Sequence, residues 1–144
     1  MNLFGMLQVS GSALTAERQR AEIVTANMAN AETTRTPEGG PYQRKLAVFR
    51  SESASRFPRM LTAGLRSQSV GVRVDQVVAD QSPPEMRFEP GHPDANAQGF
   101  VAYPNINPVN EMVDLMSAVR AYELNSQAVQ ATKQMISESL EILK

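Results

Sequence analysis

The stretch from Pro108 to Lys144 carries an apolar seam at helical spacing. With Met112 as position a of a heptad, the a and d positions are Met112, Leu115, Val119, Tyr122, Ser126, Val129, Lys133, Ile136, Leu140 and Leu143. All but Ser126 and Lys133 are apolar, which is the pattern of a coiled-coil seam. At ~1.5 Å per residue the helix is about 55 Å long. A compact domain of this chain length has a radius of gyration of roughly 14–15 Å, too small to enclose it. The chain is therefore expected to be elongated, or to bury its seam on other chains.

A second stripe of Ala121, Leu124, Ala128, Ala131, Met135 and Ile142 runs beside the first, and its mostly small members admit a close helix. Two stripes exceed the narrow seam of a two-stranded coil, so more than one neighbour is expected. An ordinary core-facing helix of a bundle shows the same period. The helix start is marked by Asn107 as cap, Pro108 in the first turn, and Glu111 and Asp114 near the positive end. At the other end of the chain, residues 3 to about 31 contain no proline, and Leu7, Leu14, Ala21 and Met28 recur every seven residues. Leu3, Val24 and Ala31 fall on the partner row, which Ser10 and Glu17 interrupt. This predicts an amphipathic helix ending near Asn30 and paired antiparallel with the first, the middle of the chain projecting from one end of the pair.

A chain of 144 residues is expected to be one domain, here with three parts: helix 1–34, a small β-rich and loop segment 35–107, and helix 108–144. The middle holds every proline but Pro108 and every glycine but Gly5 and Gly11. Tyr42–Phe49, Val72–Val78, Glu85–Phe88 and Phe100–Tyr103 read as strands, and Ser51–Ser69 as a flexible loop. The fold class is thus mainly α with a small β region, the long terminal helices forming an elongated coiled coil.

Net charge is −1, which gives no global pull toward nucleic acid or membrane. No apolar run reaches the ~20 residues of a membrane span, and no secretory signal pattern opens the chain. Cysteine is absent, which excludes disulfide and thiol chemistry. Between 35 and 66, however, Arg35, Arg44, Lys45, Arg50, Arg56, Arg59 and Arg66 outnumber Glu38 and Glu52. This is either a solvated loop or a surface for an acidic protein, with nucleic acid a weaker option.

Catalytic machinery is not expected. His92 is the only histidine, and it sits in a turn-like Gly91–His92–Pro93–Asp94 segment. No nucleophile elbow, metal-ligand cluster or phosphate-binding glycine loop is present, so no catalytic, metal or cofactor residue is assigned.

Two stretches carry a resemblance. The first runs from Leu14 to Lys45 and includes Asn27, Ala29, Asn30, Thr33, Pro41 and Tyr42; the second, Pro90 to Asn107, includes Pro93, Asp94, Ala95, Asn96, Gly99, Pro104, Asn105 and Asn107. Together with Val109–Leu115 and Arg120–Glu123, they resemble the bacterial flagellar basal-body rod protein family, most nearly its proximal rod members. The resemblance covers all but the loop around Ser51–Ser69. Pro108 departs from it where an aliphatic residue is expected, a harmless change in a first turn.

The resemblance implies a structural subunit of the proximal rod. It would assemble with copies of itself and other rod proteins into the drive shaft that passes torque from motor to hook. It implies export through the flagellar type III apparatus without a cleaved signal peptide, a periplasmic basal-body location, and no cofactor or small-molecule substrate. The subunit interface is then expected at Leu7, Leu14, Ala21, Val24, Met28, Met112, Leu115, Val119, Tyr122, Val129, Ile136, Leu140 and Leu143. Asn27 and Asn30 would turn the chain out of the inner helix and bond neighbouring backbone. Read locally instead, Asn30 is a cap and Asn27 faces solvent. The rival function is a soluble coiled-coil adaptor or regulator that binds an acidic protein or nucleic acid through segment 35–66.

Overall fold

A computed structural model describes residues 3–52 and 71–141. Two helices, α1 (Leu3–Ala29) and α2 (Pro108–Glu141), enclose four short strands in sequence: β1 (Lys45–Glu52), β2 (Gly71–Ala79), β3 (Glu85–Phe88) and β4 (Phe100–Tyr103). Roughly half of the described chain is helical. The strands form two antiparallel hairpins, β1–β2 and β3–β4. The expected strands 85–88 and 100–103 are found at those bounds.

The helix ends follow from local chemistry. At the start of α2, the Asn107 side-chain oxygen accepts from the Val109 and Asn110 amides at 2.9 and 3.4 Å. These amides have no carbonyl partner inside the helix, and Pro108 has no N–H to satisfy. At the end of α1, the Asn30 side chain donates to the Ala26 carbonyl at 2.8 Å, and the Thr33 hydroxyl donates to the Asn30 side-chain oxygen at 3.2 Å. Asn27 meets Glu111, and Arg20 meets Asp114, so the helices run antiparallel at this end.

The middle does not simply project from one end of the helix pair. The β1–β2 hairpin folds back along α1. Its near end is bonded to Asn27, and the Val72 amide donates to the Ser12 hydroxyl at 3.0 Å, some 22 Å further along the helix at ~1.5 Å per residue. Gly71 makes this approach possible, because a Cβ there would lie 2.8 Å from the Ser12 hydroxyl oxygen. The ladder pairs Leu46 with Val78 and Ser51 with Val72, and skips Asp75 as a bulge between Val48 and Phe49.

The first strand is shifted from the expected 42–49. Tyr42 is drawn away from the ladder, its amide donating to the Thr33 carbonyl at 3.0 Å, and pairing begins only at Lys45. Ser51 and Glu52, expected in the loop, extend the ladder opposite Val72 and Gly71. The rest of the expected loop, from residue 53, lies outside the described residues.

The buried apolar set is small: Ala16, Val24, Val101, Tyr103, Ile106 and Ala118. On α2 the buried positions are Glu111, Ala118 and Thr132, with Asn125 half-buried between the last two. This row repeats every seven residues and lies one position before the row headed by Met112. Met112, Val119 and Leu140 are consequently exposed, as is Tyr122, whereas Leu115, Val129 and Ile136 are half-buried. Leu143 lies outside the described residues.

The β3–β4 connection depends on Gly99. Its φ is +82°, and a Cβ there would sit 2.9 Å from the Phe88 ring and 3.2 Å from Pro90. Gly99→Ala is expected to destabilise the fold by about 1–2 kcal/mol. The measurement is urea unfolding, read as a lower midpoint at unchanged slope.

A buried polar knot as the candidate functional site

One side chain gathers three parts of the chain. Asn27, in the last turns of α1, is only 1% exposed. An asparagine amide has two N–H donors and an oxygen with two lone pairs. All four are used here. The amide nitrogen donates to the Lys45 carbonyl at 2.8 Å and to Glu111 Oε2 at 3.1 Å. The amide oxygen accepts from the Lys45 amide at 2.9 Å and from the Tyr42 hydroxyl at 3.2 Å. Asn27 thus imitates a strand neighbour for Lys45 at the point where β1 begins.

Glu111 is equally buried, at 1% exposure. Such a carboxylate is costly unless paired and hydrogen-bonded. Its Oε1 lies 2.6 Å from both Nε and a terminal nitrogen of Arg44, and its Oε2 accepts from Asn27. It also stands in the first turn of α2, where the helix dipole favours negative charge. The chain of charges continues outward, from Arg44 to Asp114 at 3.6 Å, from Asp114 to Arg20 at 3.5 Å, and from Arg20 to Glu17 at 3.6 Å. α1, the 42–45 segment and α2 are held in one register by this network. Burial, and after it the Glu111 carboxylate, push the Tyr42 phenol above its ordinary value.

A second cluster ties the chain leaving α1 to the β3–β4 hairpin. The Thr34 hydroxyl donates to Asp94 at 2.9 Å, and Arg35 lies 3.8 Å from the same carboxylate. His92 Nδ1 accepts from the Asp94 amide at 3.1 Å, the local turn contact expected of it. Asn96 closes the neighbouring turn by accepting from the Gln98 and Phe100 amides, both at 2.9 Å.

The family-motif residues fall largely in these clusters. Asn27, Asn30, Thr33, Tyr42, Asp94, Asn96 and Asn107 each make one of the side-chain bonds above. Pro104 is buried; Pro41, Ala95 and Gly99 are half-buried; Ala29, Pro93 and Asn105 are exposed. The solvent-facing reading of Asn27 is overturned by its burial, whereas Asn30 acts locally. Of the interface candidates on α1, Val24 is buried, and Leu7, Leu14, Ala21 and Met28 are half-buried. The roles of Arg44 and Glu111 were not legible as a pair. They stand 67 positions apart, and each had a simpler reading, as a loop cation and a first-turn anion.

Among the described residues, no group of His, Asp or Glu has the makeup of a metal site. The described cations of segment 35–66 are engaged internally: Arg35 by Asp94, Arg44 by Glu111, Arg50 by Asp75 at 3.3 Å, and Lys45 over the Tyr42 ring at 5.7 Å. Arg56, Arg59 and Arg66 lie outside the described residues.

Two of the three parts that build the knot, those holding Asn27 and Glu111, fall in stretches that match known families. Residues 7–35 match the family described as flagella basal body rod protein, and residues 97–142 match the flagellar basal body rod FlgEFG protein C-terminal family. The chain belongs to the flagellar basal-body rod proteins, which are structural subunits. Within that family its relatives include FlgC. It is 43% identical to the flagellar basal-body rod protein FlgC of Bacillus subtilis, with 100% of both chains covered. It is 38% identical to FlgC of Borreliella burgdorferi, over 100% of this chain and 99% of the relative. It is also 38% identical to FlgC of Escherichia coli O6:H1, over 97% of each.

Two predictions follow from the knot. Asn27→Ala strands the Glu111 and Lys45 groups and should cost about 1–3 kcal/mol. Glu111→Ala, which leaves Arg44 without its main partner, should cost about 3 kcal/mol. Because the two share a bond, the double variant should lose less than the sum of the singles, as chemical denaturation of all four chains would measure. The second concerns alkaline pH. The folded chain keeps the Tyr42 proton above 10.0, where the unfolded chain releases it, so unfolding is favoured as pH rises past that value. Tyr42→Phe should flatten this part of the alkaline decline, which urea midpoints between about pH 9 and 11 would reveal.

Proposed function

We propose that the chain is a subunit of the proximal rod and that α1 and α2 act as an elongated coiled-coil unit within it. In this reading it assembles with copies of itself and with other rod proteins, and the finished rod passes torque from motor to hook. Residues 1–34 and 108–144 form the axial part, and 35–107 the flank that meets neighbouring subunits. The subunit passes through the flagellar type III apparatus without a cleaved signal, takes its place in the periplasmic part of the basal body, and has no catalytic role.

The observation that carries this reading is the outward face of α2. Val109, Met112, Val113, Met116, Val119, Tyr122 and Leu124 are between 43% and 66% exposed. A monomeric protein rarely leaves so many large apolar side chains together on one helix. At about 1 kcal/mol for covering each half-exposed side chain, the face offers several kcal/mol to a neighbour. That is a substantial fraction of a domain's stability. Contacts that do not close on themselves build filaments rather than closed oligomers, which suits a shaft. The adaptor reading loses its main support, because the described cations of its proposed surface are paired within the chain.

The test is electron microscopy of basal bodies from a strain lacking the chain, with the intact gene restored as control. Basal rings without a completed rod, rescued by the restored gene, are expected. Complete rods in the deletion strain would overturn the reading. Val113→Glu should keep the chain folded, with stability changed by less than about 0.5 kcal/mol, yet remove it from purified basal bodies.

A further inference from the structure

Five of the six described methionines lie on the surface: Met6 at 42%, Met86 at 52%, Met112 at 54%, Met116 at 52% and Met135 at 37% exposure, leaving only Met28 half-buried. Methionine is ordinarily among the residues most often buried. The sequence has eight methionines and no cysteine, so the thioether is its only oxidisable sulfur. Met112 and Met116 stand four residues apart, on the same side of α2, and therefore present adjacent thioethers. Val109, Val113 and Val119 surround them on the outward apolar face, all more than 40% exposed.

We propose that Met112 and Met116 form a paired oxidation site whose modification by a two-electron oxidant such as hypochlorous acid prevents α2 from packing against a neighbour. The inference rests on the reading that this face is covered in the rod. In each step the thioether sulfur gives up two electrons and gains the oxygen of hypochlorous acid, which leaves as chloride and a proton. The sulfoxide is polar, so a face that gained by leaving water becomes one that must be desolvated at a cost. Exposure places Met112 and Met116, like the other three surface methionines, ahead of Met28 in the order of reaction, and their place on the outward face of α2 sets them apart in effect. Met112 and Met116 are open while the subunit is free, and packing closes them. Methionine sulfoxide reductases, with a thiol as electron donor, return the face to its apolar state.

The test has two arms. In the first, the purified full chain is treated with a few equivalents of hypochlorous acid and its peptides are followed by mass spectrometry. Met112 and Met116 should gain oxygen about fivefold or more faster than Met28, and equal rates would overturn the proposal. In the second, strains producing only the natural chain or only Met112→Leu/Met116→Leu grow rods with and without sublethal hypochlorous acid. The treated-to-untreated ratio of completed rods should fall several-fold further for the natural chain than for the variant. Equal ratios would overturn the proposal. Should the double variant build no rods untreated, the two single Leu variants are compared with the natural chain in the same way, each expected to keep a higher ratio than it, and ratios equal to that of the natural chain would overturn the proposal. Absence of the natural chain from untreated basal bodies would sink the rod reading instead, and the first arm would still decide the chemistry.

Discussion

Everything in this fold hangs on how a buried asparagine and a buried carboxylate are kept paired. Asn27 and Glu111 are each 1% exposed, and either one alone would be a penalty. Glu111, Tyr42 and the Lys45 backbone leave no unused donor or acceptor on the Asn27 amide, and Arg44 pairs the Glu111 carboxylate. Apolar contacts tolerate sliding and rotation, whereas this arrangement has only one geometry. It therefore sets the rotation of α2 about its axis and the place where β1 starts.

That rotation has a consequence for assembly. With Glu111 turned inward, the row through Ala118, Asn125 and Thr132 meets the interior, and the larger side chains one position further on are left outside. The interior stripe is small and polar. Thr132 and Asn125 return their hydrogen bonds to their own helix, to Ala128 and Ala121 at 2.8 Å, so they cost little without adding much attraction. Among the described residues the core is slight and α2 turns an apolar face outward, an arrangement that makes sense for a subunit completed by its neighbours.

The β1–β2 hairpin is the part whose placement the sequence conceals. Its strands announce themselves by β-branched residues, but composition says nothing about direction. The hairpin lies along α1 because Asn27 bonds its start and Ser12 bonds its far end. Gly71 lets the strand come close enough for the second bond. Neither Ser12 nor Gly71 stands out in a single sequence, since serine in a helix and glycine before a strand are both ordinary.

What the sequence determined by itself was local. The Asn107–Pro108 start of α2, the end of α1 near Asn30, the strands at Glu85–Phe88 and Phe100–Tyr103, and membership of the rod family all depend on neighbours within a few positions or on contiguous motifs. So does the heptad period of α2. Only the tertiary structure decided which of two adjacent heptad rows faces inward, because that depends on Asn27, Arg44 and Glu111, which are separated by up to 84 positions. Periodicity reports that a helix has faces. A long-range polar contact, costly to break and narrow in geometry, chooses between them.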